Sequence, residues 1–177
     1  MSSNIENEYF CDGLTEEIIN ALAKIKQLSV TSRTSSFYFK NKTVTTKEIR
    51  EKLNVATFIE GSVRVSKKKM RITVQMINTV DDFHFWSETF DRNPEHIFEI
   101  QDEISLFIAE KLREHIGHLE IEDKLVAPID VPVPIYREYL KGRYYIMKLD
   151  YKNSIKGIKI LKDVIHKSPN FSNPYLD

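Results

Sequence analysis

Few residues in this chain have the types and spacing that chemistry requires. Cys11 is the only cysteine, and it lies beside Asp12 with no histidine near it in the sequence. A nucleophilic thiol needs a neighbouring base, so we interpret Cys11 as a structural thiol that packs the first helix. The five glycines are dispersed along the chain and form no phosphate-binding loop. These observations predict no catalytic residue and no nucleotide cofactor.

Two groups of side chains have residue types that can bind a metal ion. His115 and His118 are three residues apart near a predicted helix end, and Asp81, Asp82 and His84 cluster at a predicted turn. Neither spacing matches a zinc site or a calcium-binding loop. We therefore expect no metal site.

Three groups of polar side chains are candidates for binding. A structural polar network is predicted from Arg33, Ser35, Glu60 and Arg92. A partner-binding surface is predicted from Tyr139, Arg143, Tyr144 and Lys148. A basic hairpin, the alternative site for nucleic acid, is predicted from Arg64, Lys67, Lys68, Lys69 and Arg71. Glu60 interrupts an apolar strand, so we expect it to pair with a nearby arginine. Lysines at a turn more often keep a sheet edge soluble than bind phosphates.

Apolar residues that recur every three or four positions predict helical segments. This spacing predicts a helix that begins after Gly13 and a longer helix over about residues 94–117. Between them, Thr45 and Glu48 form a capping box that opens a short helix. Two further helical segments, over residues 135–148 and 153–166, predict an α-hairpin near the end of the chain.

Alternating apolar and polar residues predict three strands, over residues 57–66, 70–79 and 83–90. The polar connections between them are short, which favours an antiparallel meander. Residues 28–32 form a further β-prone run. The expected fold class is therefore α+β, with a mixed sheet that contains the meander and is packed by helices, followed by the α-hairpin.

The net charge of zero conceals a division along the chain. Residues 1–134 carry 17 basic and 22 acidic side chains, whereas residues 135–177 carry 9 basic and 4 acidic ones. The change falls at a proline-containing segment, which predicts two units of opposite charge joined by a linker over residues 119–134. We expect attraction between the two units, or between two copies of the chain. The overall balance argues against a dedicated nucleic-acid-binding protein.

The C-terminal unit, residues 135–177, resembles the start of a tetratricopeptide (TPR) array. Gly142 and Tyr145 match the first helix of the repeat, Gly157 and Leu161 match the second, and Pro169 matches the closing proline. The loop between the helices is longer than the consensus, and Gly157 stands in place of the usual alanine. The resemblance implies that the hairpin binds a protein or a peptide.

The first unit, residues 1–118, resembles the TolB N-terminal-like (FlgO-like) α/β domain of bacterial regulators. Five blocks carry the resemblance in order: EYFCDGLTEE from Glu8, RTSSF from Arg33, FIEGSVR from Phe58, WSE with DR from Trp86, and IQDEI from Ile100. Family members usually have an apolar strand before the position of Met1, and that strand is missing here. Its absence predicts an open sheet edge and self-association.

Together, the two resemblances imply a non-catalytic sensory or protein-interaction module of a bacterial signal-transduction or transcriptional-regulatory protein. In such proteins an adenylate/guanylate cyclase or a helix-turn-helix domain lies elsewhere in the chain, so this chain is not expected to be an enzyme. The alternatives are a nucleic-acid-binding module and an envelope-associated interaction protein. The chain has no stretch long and apolar enough to span a membrane, and a cytoplasmic location is expected before a periplasmic one. A periplasmic location would require an upstream anchor.

Overall fold

The computed structural model describes residues 2–66, 69–117, 119–121 and 131–171, with side chains from residue 8 onward. The helices and strands there are α1 (Ser2–Ala23), α2 (Arg33–Phe37), α3 (Thr46–Leu53), β1 (Thr57–Val65), β2 (Met70–Asn78), β3 (His84–Arg92), α4 (Ile97–Ile116), α5 (Val133–Ile146) and α6 (Tyr151–Lys167). A short 3₁₀ turn, Pro94–His96, precedes α4. The α+β class is confirmed.

The three strands form an antiparallel meander in the order β1-β2-β3, as predicted. Alternation along β2 buries Met70, Ile72, Val74 and Met76. Ile72 lies opposite Val63 of β1 and Phe90 of β3, and both of these side chains are also buried. Because successive side chains of a strand point to opposite faces, one face of the sheet belongs to the core and the other is polar.

The expectation of a mixed sheet is wrong for the residues that the structure describes. Residues 28–32 form no strand, although Leu28 and Val30 are half-buried and pack against the core. A β-prone run becomes a strand only where a neighbouring strand accepts its hydrogen bonds. Here α1 packs against β1, and within the described ranges β2 is the one strand that pairs with β1.

Helix α1 begins at Ser2, twelve residues before the predicted start after Gly13. Gly13 lies within the helix, at its crossing with α5. A Cβ atom added at Gly13 would lie 2.8 Å from Cδ2 of Leu140. A glycine inside a helix costs about 1 kcal/mol relative to alanine. The close approach of α5 explains why this position nevertheless suits glycine.

One continuous hydrophobic core joins the sheet, α1, α4 and the α5–α6 hairpin. Trp86 and Phe90 of β3 place their rings 5.5 and 5.7 Å from the ring of Phe107 on α4. Tyr136 and Leu140 of α5 belong to the same core. The α-hairpin is thus confirmed, and it packs on the first unit. Its identity as a tetratricopeptide repeat stays a prediction.

The proposed linker, residues 119–134, is only partly described. Leu119 and Val131 are buried against the core, and α5 already begins at Val133. The remainder, residues 122–130, lies outside the described residues. The three-part division of the chain stays a prediction, but the described ends of the linker contribute to the core.

Helix α3 begins at the predicted capping box, and this gives a testable expectation. The Thr45 hydroxyl accepts a hydrogen bond from the Glu48 backbone N–H, and the Glu48 carboxylate accepts one from the Thr45 N–H. Replacing Thr45 with alanine should lower the free energy of unfolding by about 1 kcal/mol, because a helix N–H loses its partner. Urea denaturation would measure this change. Lys47→Ala, at an exposed position on the same helix, is the control and should have a smaller effect.

Candidate functional site

Three carboxylates line one face of α1: Glu8, Asp12 and Glu16. Their spacing of four residues places them one above another along the helix. We call this set the acidic stripe. Cations from the α2 region and from α5 converge on it, so the stripe lies between two parts of the chain that are far apart in sequence.

Glu16 connects three helices through two arginines. Its Oε2 lies 3.1 Å from Nε of Arg33 on α2, and its Oε1 lies 2.6 Å from Nη2 of Arg143 on α5. The Glu16 and Arg143 side chains are only 15% and 16% exposed, so water and salt screen their attraction weakly. An arginine left beside the core without its carboxylate would be costly, and Glu16 therefore fixes α5 against α1.

The N-terminal part of the stripe uses a lysine and a tyrosine. Lys40 Nζ donates to Asp12 Oδ1 at 2.5 Å and to Glu8 Oε1 at 3.0 Å. The Tyr144 hydroxyl of α5 donates to Glu8 Oε2 at 2.6 Å. Lys148 Nζ lies 3.9 Å from Glu8 Oε1 and 4.5 Å from the centre of the Tyr144 ring. Glu8 is thus shared between the α2 region and the end of α5.

These contacts change the acidities of the groups involved. Burial alone would raise the pKa of Glu8, but hydrogen bonds from Tyr144 and Lys40 outweigh it and hold that pKa below its ordinary value. Burial opposes the charge on Lys40, yet Asp12 and Glu8 raise the lysine pKa above its usual range. Burial, together with the hydrogen bond to Glu8, raises the pKa of Tyr144. The Glu8 carboxylate and the Lys40 ammonium therefore remain charged and paired near neutral pH, whereas burial raises the pKa of Asp12.

Two further polar contacts hold α5 beyond the acidic stripe. Gln101 of α4 is fully buried, and its Nε2 donates to the hydroxyl of Tyr136 at 3.2 Å. Arg137 Nη2 donates to the carbonyl of Pro94 at 3.1 Å. Burial, with a contribution from the charge of Glu17, raises the pKa of Tyr136, so this phenol stays neutral. Helix α5 is thus fixed on both α1 and α4.

Glu17, next to the stripe, gives a prediction of pH dependence. Burial, with the neighbouring charge of Glu16, raises its pKa. A carboxyl group whose pKa is raised by folding destabilises the native state at pH values above that pKa, and the penalty disappears on protonation. Glu17→Gln should therefore raise the free energy of unfolding at neutral pH, and this difference from the unmodified chain should vanish at about pH 4. Urea denaturation at both pH values tests this, and an equal gain at both would contradict it.

The predicted structural network, Arg33, Ser35, Glu60 and Arg92, is not brought together. Arg33 pairs with Glu16, and the Ser35 backbone N–H donates to the N-cap residue of α2, Ser32. Arg92 of β3 makes a two-point ion pair with Glu103 of α4, with Nε 2.9 Å from Oε2. Arg33, Ser35 and Arg92 each have a local structural role, and these roles lie in different places.

The pairing predicted for Glu60 is wrong, because no arginine in the described residues lies within 4.0 Å of its carboxylate. Glu60 is exposed on β1, opposite Gln75. Strand alternation turns it to the sheet face opposite buried Val63, which is the polar face. The four residues lie near predicted strand ends in the sequence, but such a position does not determine which face of the sheet a side chain occupies.

Three of the four predicted partner-binding residues face the interior of this chain, and the fourth, Lys148, is exposed. Tyr139 is buried in the core, Arg143 binds Glu16, and Tyr144 binds Glu8. Lys148 lies beside Tyr144. Arg143 and Tyr144 therefore do bind an acidic segment, and that segment is α1 of the same chain. The four-residue spacing of Glu8, Asp12 and Glu16 is the signal in the sequence that indicates such a contact.

The basic hairpin is partly neutralised within the sheet. Arg71 makes a two-point contact with Asp91, at 2.8 Å for both bonds, and Lys69 Nζ lies 2.9 Å from the same carboxylate. Hydrogen bonds from these cations hold the pKa of Asp91 well below its usual range. Arg64 is exposed opposite Arg71. Lys67 and Lys68 lie outside the described residues.

The remaining candidates for chemistry do not assemble into a reactive site. Burial raises the pKa of the Cys11 thiol, and the charge of Asp12 raises it further, which is opposite to the activation of a nucleophile. Within the described ranges, no three His, Cys, Asp or Glu side chains are grouped so that they could hold a metal ion. His118, one of the pair considered above, lies outside those ranges. No helix in the described part of the chain is long and apolar enough to cross a membrane.

Comparisons with known proteins give one informative similarity. No protein-family model matches the chain. Over 172 residues, which are 97% of its length, the chain is 34% identical to "Putative adenylate cyclase 3" of Rhizobium meliloti (strain 1021). The matched stretch covers only 29% of that relative. The chain is therefore similar to a limited part of a much longer protein whose name refers to adenylate cyclase.

Proposed function

We propose that this chain is a non-catalytic regulatory and protein-interaction module of a bacterial signalling protein connected with adenylate cyclase. The similarity to a limited part of a named adenylate cyclase supports the connection with cyclic-nucleotide signalling. The pairing of the acidic and cationic side chains with one another supports a non-catalytic role, since none of these groups is available as an activated acid, base or nucleophile.

The observation that carries this proposal is the bridging of Arg33 and Arg143 by Glu16. One carboxylate links α2 of the first unit to α5 of the hairpin. A change in the first unit that moves α2 or α1 would therefore alter the position of α5. In this role the first unit receives a signal, and the hairpin transmits it to a partner protein.

Hydrogen exchange on the full chain tests the coupling. Arg33→Ala removes one of the two cations on Glu16 without changing α5 itself, and we expect faster amide exchange in α5 and α6 than in the unmodified chain. Lys47→Ala, an exposed change on α3, is the matched control and should leave exchange in the hairpin unchanged. Unchanged exchange in the Arg33→Ala hairpin would contradict the coupling.

The absence of catalysis is tested separately. The purified chain, incubated with ATP and Mg²⁺ or Mn²⁺, should form no cyclic AMP above the protein-free background. If the preparation forms cyclic AMP, and if removing the tagged chain from it on an affinity resin abolishes this activity, the non-catalytic assignment is wrong.

A further inference from the structure

We infer that Tyr38, Lys42 and Lys52 bind the phosphate group of a small soluble phosphate ester, an inference that names a ligand class for the first unit and rests on the proposed function only in treating that unit as the receiver of a signal. Tyr38 follows α2 directly and is 52% exposed. Lys42 lies four residues further along the chain, and Lys52 belongs to the last turn of α3. We call these three residues the Tyr38 site.

Two parts of the chain bring their ammonium groups to the same aromatic ring. Lys42 Nζ lies 3.1 Å from the centre of the Tyr38 ring, and Lys52 Nζ lies 5.2 Å from it. Both lysines are exposed, and among the described residues no carboxylate lies within 4.0 Å of either ammonium group. Glu48, four residues before Lys52, uses its carboxylate in the capping box. An aromatic face does not neutralise two full charges, so the site lacks an anion.

The charges of both lysines act on the Tyr38 hydroxyl. The attraction of Lys42, followed by that of Lys52, holds the pKa of Tyr38 below its ordinary value. A positive potential that favours the phenolate also favours an anion that binds beside the hydroxyl. The neutral phenol is itself a hydrogen-bond donor. The Tyr38 site therefore offers an anion one O–H donor and two ammonium groups.

The site lies in a basic segment of the otherwise acidic first unit. Residues 24–54 carry eight basic and only two acidic side chains. Lys40 of this segment is already paired with Asp12 of the acidic stripe. Asn41 has φ of 59°, in the left-handed region, and it separates Lys40, which reaches the stripe, from Lys42, which reaches Tyr38. The local excess of positive charge attracts anions from solution.

A phosphate dianion suits the Tyr38 site better than a carboxylate does. Near neutral pH a phosphate ester carries a charge of about −2 and has three acceptor oxygens, which match two lysines and one hydroxyl. A carboxylate has one charge and two oxygens. Lys42 occupies one face of the Tyr38 ring, and the Phe39 ring packs nearly perpendicular to it with the ring centres 5.2 Å apart. The recognised group is therefore the phosphate and not a stacked base.

The surroundings favour a soluble ester over a lipid headgroup. Between residues 24 and 54, Tyr38 is the one large hydrophobic residue that is strongly exposed. Stable binding to a membrane surface needs apolar area that enters the headgroup layer in addition to positive charge. The segment provides the charge without that area.

Chemical-shift titration of the full chain with inorganic phosphate tests the site. At about pH 8, where phosphate is a dianion, the side-chain signals of the Tyr38 site should shift saturably. Sodium acetate and sodium chloride at equal ionic strength should not cause a saturable shift. Lys42→Gln with Lys52→Gln should weaken phosphate binding at least roughly ten-fold. An absent saturable shift, or an equal one with acetate, would overturn the inference.

A matched pair of substitutions controls for net charge. Lys47 and Arg50 are exposed on α3, and Arg50 does not face the side of Lys52, since residues two apart on a helix point in different directions. Lys47→Gln with Arg50→Gln removes the same charge from the basic segment and should change phosphate binding by less than about two-fold. Circular dichroism verifies the folding of both double variants. If both weaken binding equally, phosphate responds to the net charge alone and the assignment to the Tyr38 site is wrong.

Ionisation of tyrosine gives an independent readout. Bound phosphate offsets the charges of the lysines, so it should raise the pKa of Tyr38 towards the ordinary value. The absorbance of the phenolate, compared in phosphate and in chloride at equal ionic strength, measures this shift. Tyr38→Phe should remove the phosphate-dependent part of the titration. If that part persists in the folded variant, phosphate binds elsewhere in the molecule.

The lipid source of a phosphate group has its own readout. Sedimentation with phosphatidic acid vesicles that inorganic phosphate does not compete with, and that Lys42→Gln with Lys52→Gln abolishes, would replace the soluble ester by a membrane surface. These measurements involve neither cyclic AMP formation nor amide exchange in the hairpin. Phosphate binding can therefore fail while the coupling through Glu16 persists, and failure of this inference is distinguishable from failure of the proposed function.

Discussion

Replacing Arg143 with alanine should lower the free energy of unfolding by about 2–4 kcal/mol. The arginine and its partner, Glu16, are both mostly buried, and their closest atoms are 2.6 Å apart. Without Arg143, the Glu16 carboxylate keeps Arg33 alone and loses its connection to α5. The substitution also removes the guanidinium that lies 5.7 Å from the ring of Tyr139.

Chemical denaturation of Arg143→Ala, a control variant and a double-mutant cycle measures this effect and separates it from side-chain loss in general. Lys141→Ala changes an exposed cation on the same helix and should have little effect. A double-mutant cycle with Glu16→Gln and Arg143→Ala should give a coupling energy of about 1–3 kcal/mol. If Arg143→Ala and Lys141→Ala have equal effects, the interface between α1 and α5 does not depend on this ion pair.

The second large effect is expected at the crossing of α5 and α6. A Cβ atom added at Gly157 would lie 2.8 Å from the carbonyl oxygen of Gly142 and 2.8 Å from Cγ1 of Ile146. Gly157→Ala should therefore destabilise the protein by about 1–3 kcal/mol, although alanine is the better helix former. Backbone atoms cannot move away without separating the two helices.

A neighbouring glycine provides the matched control for this prediction. A Cβ atom at Gly142 would meet the Leu161 side chain, with Cδ2 at 2.6 Å, and a leucine side chain can rotate more easily than a backbone can move. Gly142→Ala should consequently cost less than Gly157→Ala when thermal or urea unfolding is compared. If Gly157→Ala stabilises the protein, the two helices are farther apart than described.

Gly157 stands where the tetratricopeptide consensus has alanine, and this difference has a structural consequence. At this position the sequence differs from the consensus that it otherwise resembles, and the structure places the backbone of α5 against it. A substitution toward the consensus is therefore expected to be harmful here. The distance between α5 and α6 therefore decides whether alanine stabilises or destabilises the protein at this position.

Local patterns predicted the elements well. The alternation of Met70, Ile72, Val74 and Met76 gave the buried face of β2, and the Thr45–Glu48 capping box gave the start of α3. Both signals concern residues within a few positions of one another, so they act in any tertiary context. The early start of α1 was missed because Gly13 suggests a boundary, and its contact with Leu140 lies in another part of the chain.

The candidate site was predicted only in outline. The opposite charges of the two units indicated that they attract each other, and the α1–α5 interface contains ion pairs of the expected sign. The individual partners were not predictable, because Glu16 and Arg143 are 127 positions apart and Glu8 and Tyr144 are 136 positions apart. Many acidic and basic residues of the chain could form such pairs, and the sequence alone does not show which of them meet.

By itself, the sequence determined the α+β class, the three-stranded meander, the terminal hairpin and the division of charge between the two units. It did so because hydrophobic periodicity, helix caps and net charge depend on residue type and near neighbours. Only the tertiary structure decided that Arg143 and Tyr144 of α5 are used inside the chain, where they bind the acidic stripe of α1. Which side chains of α5 reach α1 depends on the rotation of α5 and on the distance between the two helices. The packing at Gly13 and the burial of Tyr136 together determine this rotation and this distance.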